Sequence, residues 1–254
     1  MTQIDWGPLR AEIAKWQKKD LVLPLWWRDD DATDVTDALE RLIQVSKGVG
    51  VPVHLAIVPR NATSKLGKRL ADEDQVFPIV HGWAHRNHAP AAAHRSEFSN
   101  ARAGSANRED ASEGLRKLAR LLPGRVLPVF VPPWNHIDPQ AVVELPAAGF
   151  QVLSTCDPRP LEHPVPSLSQ VNTHLDPIAW RDGEVLHNVD YLMAKLVNNL
   201  KRRRQGKDDN TEPFGLLTHH LAMREPVWDF VEQFWQEILK VPHEIATIAP
   251  PYTN

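Results

Sequence analysis

Cysteine is nearly absent from the chain, which contains Cys156 and no other cysteine among its 254 residues. A single thiol cannot form a disulfide within the chain, and it cannot supply a zinc site built from several thiolates. Any bound metal must therefore be held by histidine and carboxylate side chains. We expect Cys156 itself, which follows a predicted strand, to be a small buried hydrophobic residue.

Excess charge of one sign and long apolar runs are also lacking. The net charge is -3, from 29 basic and 32 acidic residues, which does not favour nucleic acid as a partner. No uncharged apolar run is long enough to cross a bilayer, and the N-terminus lacks the basic-then-apolar pattern of a secretory signal. We therefore expect a cytoplasmic protein without a membrane span that acts on a small molecule or a carbohydrate. The oligomeric state stays open.

Apolar segments of strand length alternate with segments that have helical spacing. Strands are predicted at residues 21–27, 51–58, 76–80, 126–131, 150–154, 214–218 and 243–248. Helical spacing occurs between them, at residues 35–45, 65–71, 115–122, 140–148, 191–200 and 226–239. No linker interrupts this alternation. It predicts one α/β domain over residues 1–254, a distorted (β/α) barrel of about seven parallel strands.

Polar and titratable side chains follow four of the predicted strands. In a parallel barrel the catalytic groups gather at the carboxyl ends of the strands, so these side chains should share one active site. The four groups are Asp29-Asp30-Asp31 after the first strand, His81 with His85 after the third, Trp134-Asn135-His136 after the fourth, and His219-His220 after the sixth.

Two of these groups suit a metal ion. His81 and His85 have the spacing that places both imidazoles on one face of a helical turn, although this chain has 12 histidines and the spacing alone is weak. The aspartates could instead cap the next helix, but three adjacent carboxylates repel one another and favour a cation. Two imidazoles and one carboxylate leave open positions for water and substrate, as a catalytic metal requires.

The ordered series of Asp-Asp, His-x-x-x-His, an aromatic residue after Pro-Pro, and Leu-x-His resembles the motifs of the polysaccharide deacetylase superfamily (carbohydrate esterase family 4, NodB-like deacetylases). It spans about residues 26–220. The resemblance implies that Asp30 is the catalytic base and His219 the catalytic acid. It also implies three metal ligands, Asp31, His81 and His85.

Other positions also carry the resemblance. Pro133 and Trp134 match the motif that forms part of the substrate groove, and Asp176 with Trp180 stands where the family keeps an Asp/Trp motif. The aspartate pair could be shifted by one residue to Asp29 and Asp30, and His220 competes with His219 for the acid role.

One departure concerns the arginine that orients the catalytic aspartate in the family. This chain has Val131 at that position. Arg28 could take over the role, or it could point into solvent.

The resemblance implies a metal-dependent hydrolase that removes an acetyl or other acyl group from an N- or O-acetylated carbohydrate. One divalent ion is expected, zinc by preference, with cobalt, nickel, iron or manganese as alternatives. Two other functions remain open at this point. One is hydrolysis of a non-sugar C–N bond by the same kind of site, and the other is non-catalytic binding of a metal or a glycan, which the missing arginine suggests.

Overall fold

The computed structural model describes residues 4–249, and its centre is a sheet of parallel strands. The strands of the chain are β1 (Leu23–Ala32), β2 (Val53–Ile57), β3 (Val76–His81), β4 (Val129–Val131), β5 (Val152–Leu153), β6 (Ser169–Gln170), β7 (Ile178–Ala179), β8 (Val185–Leu186), β9 (Phe214–Thr218) and β10 (His243–Ile245). Eight of them form the main sheet in the order β10-β1-β2-β3-β4-β5-β6, with β9 also paired to β1. Strands β7 and β8 form a separate antiparallel hairpin.

The main sheet curls toward closure. All of its strand pairs are parallel. Beyond β6, Leu175 bridges to Leu216 of β9, so the last part of the sheet returns to the side of β1 where β9 lies. The predicted distorted (β/α) barrel is confirmed. All seven predicted strands belong to this sheet, and β6 is an additional strand.

The helices cover the outside of the sheet. They are α1 (Gly7–Gln17), α2 (Asp37–Val49), α3 (Ser64–Leu70), α4 (Gly104–Leu121), α5 (Pro139–Val142), α6 (Val189–Arg204) and α7 (Glu225–Ile238). Helix α2 begins where the Thr36 hydroxyl accepts the N–H of Leu39, a side-chain cap for an otherwise unpaired donor. Helix α5 ends at Val142, well short of the prediction for residues 140–148. Pro146 explains the early end, because its ring would clash with the carbonyl of Val142 four residues before it.

Strand β1 sends its side chains alternately to the two sides of the sheet. Trp27 faces outward and packs against Trp235 of α7, with ring centroids 5.5 Å apart. Trp26 lies on the other side, in the apolar cluster inside the barrel. Because side chains alternate along a strand, Arg28 and Asp30 follow Trp26 into the interior, where they are 0% and 1% exposed.

The aspartate-rich segment lies within β1 rather than beyond its end, which corrects the predicted boundary at residue 27. The register between β1 and β2 shifts between Asp29 and Ala32, and Asp31 has a positive φ of 75°. This irregularity breaks the alternation at Asp31.

Two further predictions can be compared with the structure. Cys156 is exposed where the chain leaves β5, so its predicted burial is wrong. No helix among residues 4–249 is long and apolar enough to span a membrane.

Candidate active site

The carboxyl ends of the strands surround a cleft of about 1010 Å³. The structure brings together there most of the residues that the sequence singled out. Those lining the cleft are Asp30, Asp31, His81, His85, Trp134, Asp176, Trp180 and His219.

Asp31, His81 and His85 form the one group of candidate metal ligands found among the described residues. Their ligating atoms all lie within 4.8 Å of one another. Asp31 Oδ1 is 3.1 Å from His81 Nε2 and 3.3 Å from His85 Nε2. This donor set of two imidazoles and one carboxylate, open toward a cleft, suits a catalytic metal ion.

The surroundings of His81 also fit a metal ion. Its Nδ1 lies 3.1 Å from the carbonyl oxygen of Val131, so Nδ1 carries the proton and donates it to that carbonyl. When the ring is neutral, it presents the lone pair of Nε2 to Asp31, which is the usual arrangement of a metal-ligating histidine. Asp31 Oδ1 is buried and has no hydrogen-bond partner among residues 4–249. A cation between Asp31 Oδ1 and His81 Nε2 would offset the repulsion of lone pairs that face each other.

The electrostatics of the three groups favour a cation as well. Burial disfavours the charge on Asp31, but the nearby imidazoles, His81 first, hold the pKa of Asp31 well below its ordinary value. Burial also disfavours protonation of His81, yet the carboxylates of Asp30 and Asp31 raise its pKa overall. The pKa of His85 is lowered by burial and by its proximity to His81. The carboxylates thus make the pocket attractive to positive charge.

The predicted helical turn between His81 and His85 is wrong. Strand β3 ends at His81, and the next residues form an irregular turn in which Gly82 and His85 have φ values of 55° and 54°. The two ring centroids are nevertheless 5.3 Å apart. The turn therefore brings the imidazoles together by a different route from the one that the spacing suggested.

Arg28 binds Asp30 and does not point into solvent. Its Nε and Nη2 donate to the two carboxylate oxygens of Asp30 at 2.9 and 3.0 Å. Nη1 donates to Ser154 Oγ at 2.8 Å and to the Thr155 carbonyl at 3.0 Å, and Nη2 also donates to Asn135 Oδ1. All five guanidinium hydrogens therefore have acceptors, and the carboxylate of Asp30 is fixed at both oxygens.

Asp29 and His220 lie outside the cleft and bind each other. Asp29 accepts hydrogen bonds from Thr218 Oγ1 at 2.6 Å, from the His220 N–H at 2.9 Å and from His220 Nδ1 at 2.5 Å. Both side chains are completely buried. His219 instead faces the cleft, with Nε2 4.0 Å from Asp30 Oδ2. Asp30, Asp31 and His219 therefore line the cleft, whereas Asp29 and His220 do not.

Asp176 and Trp180 lie beside His219. Asp176 accepts the indole N–H of Trp180 and the backbone N–H of Ile178, each at 2.9 Å. Burial raises the pKa of Asp176, against the lowering effects of His219 and of these hydrogen bonds. The Trp180 ring meets the His219 ring edge-on, with centroids 4.5 Å apart. The three residues form one cluster on the His219 side of the cleft.

Trp134 and Pro133 differ in their position relative to the cleft. The Trp134 ring lines the cleft 4.5 Å from the ring of His85, and its φ of 57° is left-handed. Pro133 is buried beneath the turn, against Gly82, and does not line the cleft.

Some residues of the site were not predicted from the sequence. Asn135 belongs to the group predicted after the fourth strand, but its contact with Arg28 was not foreseen. Ser154, the last residue of the fifth predicted strand, also binds Arg28 and was not predicted as part of the site. Glu97, which is buried beside the turn at residues 81–85, belongs to no motif. The cleft is also lined by Asn135 and His136, which belong to the group predicted after the fourth strand, and by His94, Arg95, Arg181 and Glu184, which were not predicted to lie there.

The fold defined by this barrel is that of the family 4 carbohydrate esterases. No protein-family model matches the chain, and no curated protein matches it in sequence. Among solved structures, a CE4 esterase from Streptococcus mutans is 11% identical with a TM-score of 0.61, over 93% of this chain and 89% of that one. The family 4 carbohydrate esterase from Streptomyces lividans in complex with acetate is 10% identical with a TM-score of 0.56, over 90% and 98% of the two chains.

A third similar structure is a family 4 acetyl xylan esterase from Clostridium thermocellum in complex with a cobalt ion. It is 11% identical with a TM-score of 0.51, over 88% of this chain and 87% of that one. At these identities the likeness establishes the fold. The resemblance inferred from the motifs is therefore confirmed for the fold.

Proposed function

We propose that the protein is a metal-dependent hydrolase that removes an acetyl group from an N- or O-acetylated carbohydrate. One observation carries the proposal. Three candidate ligand atoms lie within 4.8 Å of one another, beside a carboxylate and an imidazole that are 4.0 Å apart in the same cleft. The names of the similar structures, which include an esterase of acetyl xylan and an esterase in complex with acetate, support this choice of substrate.

Asp31, His81 and His85 would hold the ion. Their donor atoms suit zinc, and also cobalt, nickel, iron or manganese. When bound, the ion would polarise the acyl carbonyl and make the attacking water more acidic. The cobalt ion in the Clostridium thermocellum esterase is consistent with a divalent metal here.

Asp30 would act as the general base. Arg28 holds both oxygens of its carboxylate, so Asp30 can accept a proton from water without rotating away. As the water oxygen bonds to the acyl carbon, the C–N or C–O bond of the substrate must break, and the leaving nitrogen or oxygen needs a proton. His219 in its cationic form would supply that proton from the other side of the cleft. Contact with Trp180 orients its ring.

The aromatic side chains suggest how a sugar would be held. Trp134 and Trp180 lie at the cleft, and Trp180 is 42% exposed. An aromatic ring can cover the apolar face of a sugar while hydroxyl groups remain in water. Pro133 is buried against Gly82 and precedes Trp134, so it would affect the groove through the position of Trp134 rather than by contact with the sugar.

The direct test measures acetate release from N-acetylglucosamine oligomers and acetylated xylan, with a cyclic amide as the non-sugar substrate. We expect zinc-dependent release from an acetylated sugar. Asp30→Asn and His219→Ala should each reduce turnover by about 10²–10⁴-fold while retaining zinc, as expected for general acid–base groups. Turnover of the cyclic amide alone would contradict the carbohydrate substrate. No turnover of any substrate by the zinc-loaded protein would favour a binding domain.

The ligand assignment has a separate test. Elemental analysis of the purified His81→Ala, His85→Ala double variant should show loss of the metal. A full metal content in that variant would overturn the assignment.

A further inference from the structure

We propose that Glu97 is a positioning residue of the metal site: its buried carboxylate holds the turn at residues 81–85 in the shape that directs His81 and His85 toward Asp31. This inference rests on the proposed metal site, and it concerns a residue outside every motif described above. Glu97 is 1% exposed. Its carboxylate accepts the backbone N–H groups of Trp83 at 3.0 Å, Ala84 at 2.8 Å and Arg86 at 3.3 Å.

The contacts of Glu97 are unusual for a buried carboxylate. No lysine, arginine or histidine of the described chain forms an ion pair with it, so backbone N–H groups alone compensate its charge at close range. A buried charge without compensation would be strongly unfavourable. The three hydrogen bonds therefore tie the conformation of the turn to the presence of this carboxylate.

The turn requires such support because its backbone is irregular. Gly82 and His85 both have left-handed φ values, and His85 is not a glycine. Strand pairing ends at His81, so the following N–H groups receive no partner from β4 beyond the bond from Gly82 to Val131. Glu97 supplies acceptors to three of them. A Cβ on Gly82 would lie 2.2 Å from Glu97 Oε2, which shows how closely the carboxylate is seated against the turn.

The loop of residues 87–98 is held by hydrogen bonds and packing that place Glu97 beside the turn. The side-chain carbonyl of Asn87 accepts the N–H of Ala89 and of Ser96, each at 3.0 Å. His88 also donates its N–H to the Ser96 carbonyl at 2.8 Å. Directly after Glu97, Phe98 is buried edge-on against Phe130 of β4, with centroids 4.8 Å apart. The loop is thus fixed at both ends, and the carboxylate has a defined place under the turn.

Removal of this carboxylate should act on metal affinity. Without Glu97 the turn loses its acceptors and the negative charge beside it, so His85 would no longer be held near Asp31. Residues that orient metal ligands typically contribute about 10–100-fold to metal affinity. Glu97→Gln is nearly the same size but replaces one acceptor oxygen by an N–H donor, and Glu97→Ala removes both oxygens.

The experiment compares zinc dissociation constants of the wild type, Glu97→Gln and Glu97→Ala, measured by competition with a chromophoric chelator. Glu12→Gln is the matched control, since Glu12 is also 1% exposed but pairs with Arg204 and Lys15 away from the cleft. We expect affinity about 10–100-fold weaker in both Glu97 variants and unchanged affinity in the control. The visible absorption of the cobalt-loaded protein should change in the Glu97 variants, because the geometry of the ligands changes.

Several outcomes separate the alternatives. Zinc affinity and a cobalt spectrum like those of the wild type in a folded Glu97→Gln protein would overturn the positioning role. So would a variant that only melts at a lower temperature in the metal-free form and still binds zinc normally. If the wild type itself binds no divalent metal, the proposed function fails and this inference fails with it. If Glu97→Ala does not fold, Glu97→Gln still decides the question.

Discussion

Replacing Arg28 by methionine would leave the carboxylate of Asp30 inside the barrel without its cation. Arg28 and Asp30 are 0% and 1% exposed, and two hydrogen bonds join them. Removal of one partner from a buried ion pair typically destabilises a protein by about 3–5 kcal/mol. The acceptors on Ser154 and Asn135 would also lose their donors, so we expect a value in the upper part of that range.

Urea unfolding of the metal-free proteins at pH 7 measures this loss. Arg28→Lys should be intermediate, because an ammonium group keeps the charge but cannot bind both carboxylate oxygens in parallel. The double variant Arg28→Met, Asp30→Asn should recover part of the loss, since the uncompensated charge is then absent. Arg41→Met is the control: Arg41 pairs with Glu225 on the surface, where the loss should be far smaller. A loss in Arg28→Met no larger than in Arg41→Met would refute the reasoning.

Three further predictions concern stability and binding. Burial lowers the pKa of His54 to about 4 from 6.5, so the stabilisation by its neutral ring is complete above pH 6.5 and is lost as the pH falls through 4. Between pH 7 and pH 4 the free energy of unfolding should fall by roughly 3 kcal/mol because of His54. In urea unfolding, the fall for His54→Gln should be smaller than that of the wild type by this amount, and an equal fall in both proteins would contradict the prediction. Asp29→Asn should lower the unfolding free energy by about 1–3 kcal/mol while zinc binding persists. Loss of turnover as large as in Asp30→Asn would instead favour the alternative in which Asp29 is the base and Asp30 the metal ligand. Zinc at 100 times its dissociation constant should raise the unfolding free energy by about 2.7 kcal/mol in thermal or urea unfolding, and the same rise in the His81→Ala, His85→Ala protein would locate the binding elsewhere.

The sequence was most informative where strands are buried on both faces. Such strands are continuous apolar runs, and the run at Phe214–Thr218 matches β9 at both ends. Strands β6, β7 and β8 have two residues each, too few for a periodic pattern to exist. The hairpin of β7 and β8 follows Asp176 and carries part of the cleft wall. Only the resemblance pointed to Asp176 and Trp180 there, and Arg181 and Glu184 were not predicted.

Within the site, residue identity was easier to predict than conformation. The spacing of His81 and His85 located both candidate ligands, but it suggested a helical turn because that is the commonest way for residues four apart to meet. The actual turn depends on Glu97. This residue is too far along the chain from His81 and His85 for a periodic spacing to connect it with them. The orientation of Arg28 could not be predicted either, because its acceptors Ser154 and Asn135 lie after other strands, far from Arg28 in the sequence.

The three adjacent aspartates show how one strand can accommodate charges that repel one another. Asp30 faces the barrel interior and binds Arg28, and Asp29 faces the opposite side and binds Thr218 and His220. The register shift and the positive φ at Asp31 break the alternation and turn that carboxylate toward the imidazoles at the cleft. A slip by one residue would exchange these environments, because alternate side chains of a strand face opposite sides. The partners of each carboxylate therefore specify the register of β1, and through it the position of Asp30 relative to the proposed metal ligands.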